Sequence, residues 1–139
     1  MIQWREALSV GHPVIDADHR RLLELINLFE TAEQANIEQS LFELVRYAKV
    51  HFAREEALQR QANFPEALKH SGLHKKLMKT AEDFLHKWET SPGDGHAAMV
   101  DQIAPFLKTW LIDHIINEDL KMKPYLGGAE PSAGVRPVK

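Results

Sequence analysis

Five histidines in this chain fall where an amphipathic helix asks for leucine. His19, His51, His70, His74 and His114 each sit on the apolar stripe of a helical segment, and Glu55 shares the stripe of His51 four residues on. One histidine on such a face is ordinarily a core residue with a single hydrogen-bond partner. Five imidazoles and a carboxylate need more partners than the stripes supply, because a buried polar group without one is costly. A shared metal satisfies them together. The chain has no cysteine, so the metal must be held by nitrogen and oxygen, a donor set that suits iron, zinc or copper. The remaining histidines carry no such signal. His12 precedes the first helix, His86 is rotated off the His70–His74 stripe, and His96 belongs to a loop.

The stripes define the fold. The first helix is expected from about Ala17 to Glu33, with Ile15, His19, Leu22, Ile26 and Phe29 on one face. The second runs from about Ile37 to Gln61 on Leu41, Leu44, Ala48, His51, Glu55 and Leu58, with Asn36 and Gln39 resembling a capping box. Pro65 opens the third, whose stripe is Ala67, His70, His74, Leu77, Ala81, Phe84 and Trp88. Ser91 to Gly95 is the clearest breaker, and the fourth stripe is Val100, Ile103, Leu107, Trp110 and His114. Pro105 predicts a kink or a late start in this last helix. Single apolar stripes joined by short links predict an all-α, antiparallel up-and-down four-helix bundle. The bundle is expected to occupy residues 1–126, and the aperiodic Gly- and Pro-containing stretch 127–139 reads as a disordered tail.

With 44% apolar residues, 139 positions suffice for one core. A net charge of −3 gives no reason to expect nucleic acid or an anionic membrane as partner. No stretch approaches the ~20 apolar residues of a membrane span. Met1 to Val14 lacks a basic patch followed by an apolar run, so a cytoplasmic protein is expected.

Five segments, in this order and spacing, resemble the hemerythrin family in its single-domain bacterial form. They are Ile15-Asp16-Ala17-Asp18-His19, His51-Phe52-Ala53-Arg54-Glu55-Glu56, Phe64-Pro65, His70-Ser71-Gly72-Leu73-His74, and Trp110 through His114 to Asp119. The resemblance covers the chain to about Leu126, and Phe64 stands where the family often has tyrosine. It implies two iron ions, ferrous or ferric. His70, His74 and His114 would hold one iron and His19 and His51 the other. Glu55 and Asp119 would bridge the pair, with a solvent-derived oxo or hydroxo group as third bridge. Three histidines and three bridges close one iron at six ligands; two histidines and three bridges leave the other a free position, where O₂ would bind. Leu22, Leu23, Phe52, Leu77, Trp110, Ile112 and Ile115 are candidates to wall a dry O₂ pocket, with Ile112 beside the ligand.

The implied function is reversible O₂ binding for carriage, storage or delivery, not catalysis. The alternatives are a di-iron enzyme (oxidase, peroxidase or nitric-oxide chemistry) and an O₂-sensing module acting through a partner. Ferritin-like oxidase bundles use Glu-x-x-His pairs, and this sequence contains none. In the fourth helix, spacing and resemblance disagree. Four residues on from His114, about 40° round the helix, stands Glu118; the family pattern selects Asp119, about 140° round. Following the family requires a wide turn near His114 to Asp119, such as a π-bulge. Glu118 and Glu56 then read as solvated carboxylates.

Overall fold

The computed structural model describes residues 3–33, 36–91 and 95–126. Four long helices carry them: α1 (Pro13–Thr31), α2 (Ile37–Gln61), α3 (Ala67–Thr90) and α4 (His96–Asn117). A 3-10 turn, Glu6–Leu8, precedes α1; a second, Asp119–Met122, and a one-turn helix α5, Lys123–Leu126, follow α4. α1 packs against α2 and α4, and α2 against α3, in an up-and-down four-helix bundle. Among the described residues there is no β-strand, and no helix is long and apolar enough to cross a membrane. The expected tail 127–139 and residues 92–94 of the expected breaker lie outside the described residues.

The helix ends follow local chemistry. α1 begins at Pro13 instead of Ala17, because proline in the first position brings a preset φ and lacks a donor that would go unused. His12 caps it: its Nδ1 accepts from the Ile15 amide at 3.5 Å, and its carbonyl accepts from the Asp16 amide at 2.9 Å. Burial lowers the His12 pKa against the pull of Asp16, which keeps that nitrogen an acceptor. α2 has the expected bounds, but Asn36 has helical dihedrals and its side chain makes no capping bond, so the predicted capping box does not form. α2 ends in a Schellman motif. Asn63 takes the left-handed conformation at φ 55°, the Phe64 amide donates to the Gln59 carbonyl at 2.9 Å, and the Asn63 amide donates to the Arg60 carbonyl. That motif turns Phe64 inward. Pro65 therefore lies in the connecting turn and α3 starts at Ala67, two positions later than expected. α4 runs through Pro105 from His96, so the helix does not start late, and His96 is helical rather than in a loop.

The described core has three apolar clusters. Phe29, Ile37, Leu41, Trp88, Val100 and Ala104 fill one end of the bundle. Leu22, Leu25, Ile26, Leu44, Leu111 and Ile115 belong to the second cluster. Val10, Ile15, Phe64, Met122 and Leu126 close the other end, where α1 and α3 begin and α2 and α4 finish. A fully buried side chain such as Phe29 contributes about 3–5 kcal/mol against truncation to alanine. His19, His51, Glu55, His70, His74, His114 and Asp119 lie toward this last end. The topology requires it, since they occupy early turns of α1 and α3 and late turns of α2 and α4, with Asp119 just past the end of α4.

Candidate metal centre

All seven expected ligand side chains are buried, from 0% exposed for His19 and Glu55 to 6% for His114. Spacings of four place His51 with Glu55 on α2, and His70 with His74 on α3, on one helix face each. Two groups result, Glu55 with His70, His74, His114 and Asp119, and Glu55 with His19 and His51.

The two carboxylates join the groups by facing both ways. Glu55 Oε1 lies 3.0 Å from His70 Nε2 and 3.2 Å from His74 Nε2, while its Oε2 lies 3.4 Å from His19 Nε2 and 3.3 Å from His51 Nε2. Asp119 Oδ1 lies 2.6 Å from His70 Nε2 and 3.0 Å from His114 Nε2, and its Oδ2 lies 3.1 Å from His19 Nε2. The imidazole nitrogens also crowd one another: His114 Nε2 is 3.0 Å from His70 Nε2 and 3.2 Å from His74 Nε2. Three neutral rings cannot all point lone pairs at one spot without a cation there. Two atoms bound at right angles to one metal at about 2.1 Å stand about 3.0 Å apart, which is the spacing seen. Both nitrogens of His19 and both oxygens of Glu55 are buried without a hydrogen bond, despite these short approaches. Of these, His19 Nε2 and the two Glu55 oxygens face the cluster, where a metal pair would satisfy them, so the residues fit such a pair.

Electrostatics point the same way. Burial opposes a charge on His19, but Asp119 and Glu55 outweigh it and raise the ring to about 10; the same contest raises His70 to about 9. Burial also opposes ionisation of Glu55 and Asp119, and the surrounding imidazoles nevertheless hold both well below the usual carboxylate range. The site is built around two buried negative charges that demand cations.

Asp119 reaches the cluster without a π-bulge. α4 stops at Asn117, Glu118 adopts φ −121° and ψ −53°, and a 3-10 turn begins at Asp119. The break re-aims the chain where an ideal helix would have turned Glu118 inward. Glu118 instead lies outward, within 3.6 Å of Lys69 and of Lys121.

Two carboxylates hold ligand histidines from behind. Asp18, buried on α1, lies 3.0 Å from His51 Nδ1. It also accepts from Tyr47 Oη at 2.7 Å and from two Arg54 nitrogens, each at 2.9 Å. These bonds hold it far below the usual carboxylate range in spite of burial, and Tyr47 is raised to about 12 by burial and the Asp18 bond. Glu56 lies 2.8 Å from His74 Nδ1, so it is no solvated surface carboxylate as sequence suggests. Sequence reasoning assigns no role to Asp18, Tyr47 or Arg54. The signal is there: Tyr47, His51 and Arg54 follow one another at spacings of four and three on one face of α2.

Of the expected pocket residues, Leu22, Phe52, Leu77 and Trp110 line an apolar cavity of about 60 Å³. Phe52 stacks on His74 at 3.9 Å and Trp110 on His114 at 4.4 Å between ring centroids, so the cavity adjoins the ligands. Leu23, Ile112 and Ile115 do not line it; they pack in the cluster around Leu111.

Comparison with known proteins finds matches over most of the chain. The profile of the Hemerythrin HHE cation binding domain matches residues 10–126. Bacteriohemerythrin of Pseudomonas paraeruginosa (strain DSM 24068 / PA7) is 32% identical over 120 residues, covering 84% of this chain and 75% of that protein. Bacteriohemerythrin of Ralstonia nicotianae (strain ATCC BAA-1114 / GMI1000) is 28% identical over 133 residues, covering 96% and 94%. A wild-type hemerythrin crystal structure superposes with a TM-score of 0.79 at 23% identity, over 91% of this chain and 98% of that one.

Two measurements probe the site. Asp119→Ala is expected to lose iron while Glu118→Ala retains it, counted per chain after purification; the reverse would make Glu118 the ligand. Without metal, the charge on His19 and His70 stabilises the fold fully below pH 6.5, and that contribution is lost as pH rises through about 9 and 10. Metal-free protein should therefore melt at a lower temperature at pH 9.5 than at pH 6.5. Iron-loaded protein should not share that loss, since metal keeps both rings neutral throughout. Circular-dichroism melts decide this, and a flat or rising metal-free Tm contradicts the charge balance.

Proposed function

This chain belongs to the hemerythrin family, whose cofactor is a di-iron centre, and from that premise we propose that it binds O₂ reversibly at an iron pair held by His19, His51, Glu55, His70, His74, His114 and Asp119. The observation that carries the proposal is unequal sharing. Three imidazoles converge on one side of the Glu55–Asp119 pair and two on the other. With the bridges held in common, the side of His19 and His51 has one ligand fewer, and an unfilled position is what an exogenous ligand needs. When bound, the iron pair supplies that position and the electrons that reversible O₂ binding draws on.

The chain's own residues do the rest. Glu55 and Asp119 offset cationic charge inside the bundle and set the spacing of the pair. Asp18 and Glu56 fix the orientation and tautomer of His51 and His74 by engaging Nδ1 and leaving Nε2 to the metal. Phe52 and Trp110 cover His74 and His114 with ring faces, and the apolar cavity beside them disfavours water. Limited water access near the ligands would favour a binder over a catalyst. The proposed role is O₂ carriage, storage or delivery.

The test is optical. Ferrous protein exposed to air should gain a charge-transfer band that disappears under argon and returns with air over repeated cycles. Turnover of an added reductant with no stable oxygenated form would support an enzyme and overturn this reading.

A further inference from the structure

The two groups of ligands are backed differently. Behind His74 stands Glu56, its side chain 22% exposed. Behind His51 stands Asp18, 3% exposed and gripped by three donors besides the ring: the Tyr47 hydroxyl, Arg54 Nε and Arg54 Nη2. His51 Nε2 faces Glu55 at 3.3 Å, so a metal-bound ring must carry its proton on Nδ1 and donate it to Asp18 at 3.0 Å. A buried anion pulling on that proton makes the ring a stronger electron donor. Arg54, its side chain 40% exposed, brings a full positive charge onto the same carboxylate and draws density back. Tyr47 does so more weakly, as a neutral donor. The His51 side is the one our functional reading leaves open to O₂.

We propose that Asp18, Arg54 and Tyr47 form an opposed pair of controls on the His51 iron: Asp18 lowers its reduction potential through the ring, and Arg54 with Tyr47 holds that lowering in check. The three are positioning residues, since none touches the reacting atoms. The arrangement has a reason in the fold. A buried carboxylate alone would be unstable at this place, and too strong a donor would favour the ferric state, which does not bind O₂. Arg54 meets both needs from the surface of α2, one turn on from His51. This inference rests on the di-iron reading but not on O₂ binding.

The experiment is a redox titration of iron-loaded protein against mediator dyes, each iron exchanging one electron between ferrous and ferric forms, with iron per chain counted in every sample. Asp18→Asn keeps the size of the side chain and removes its charge. It should shift the ferrous-to-ferric ratio toward ferrous at fixed potential, because a neutral amide pulls less on the ring proton than a carboxylate does. Arg54→Gln should shift it toward ferric, and Tyr47→Phe in the same direction by less. General loosening of the site would move all variants the same way, so the opposite signs are the signature. Should Asp18→Asn fail to hold two irons, Arg54→Gln decides alone: a shift toward ferric supports the proposal, and no shift or the reverse overturns it. With all variants loaded, unchanged ratios or a common direction overturn it as well. Wild-type protein lacking two irons would instead sink the di-iron reading itself.

Discussion

Everything in this molecule is arranged around two carboxylates placed where water cannot reach them. Glu55 and Asp119 are 0% and 1% exposed, and a buried ion without compensation costs several kcal/mol. The bundle answers with five imidazoles, none charged by default and all able to coordinate. Left without metal, the carboxylates draw protons onto His19 and His70, raising both rings well above an ordinary histidine. Two divalent cations would meet the same demand. The apolar clusters on either side then have a second duty besides stability. They keep the local dielectric low, and low dielectric makes the carboxylates insist on metal.

The fold can meet this demand only because of how its ends are made. Ligands from four helices must come to one level, and an up-and-down bundle delivers them by pairing early turns of α1 and α3 with late turns of α2 and α4. The Schellman turn at Asn63 brings Phe64 beneath His70, and the break at Glu118 brings Asp119 inward. Met122 and Leu126 then close over the site together with Val10 and Ile15. Asp16 ties the approach to α1 in place, accepting from Ser9 Oγ at 2.5 Å and from the Val10 amide at 2.9 Å.

Much of this is legible in the sequence, for a physical reason. Periodicity reports which face of a helix is buried, so a polar residue out of place on that face shows up at once, and His19, His51, Glu55, His70, His74 and His114 all do. Asp119 does not, because it follows a break in the helix and periodicity ends there; only the resemblance to hemerythrin reaches it. The break also hides Glu118, which spacing alone would turn inward. Helix starts are misjudged at Pro13 and Pro65 because proline permits a helix start without fixing which residue begins it. Asp18 and Glu56 escape notice because they act from the rims of their helices, where a carboxylate ordinarily meets solvent. Their roles depend on what the neighbouring helix presents, and that is tertiary information.

The central claim is that one chain holds two irons, unequally shared, on these seven side chains. Anomalous diffraction from crystals of iron-loaded protein at the iron edge tests it most directly. The account predicts two peaks per chain, both bonded to Glu55 and Asp119, one also to His70, His74 and His114 and the other to His19 and His51. A single peak, or a second one that leaves Asp119 or both His19 and His51 unbound, would contradict it.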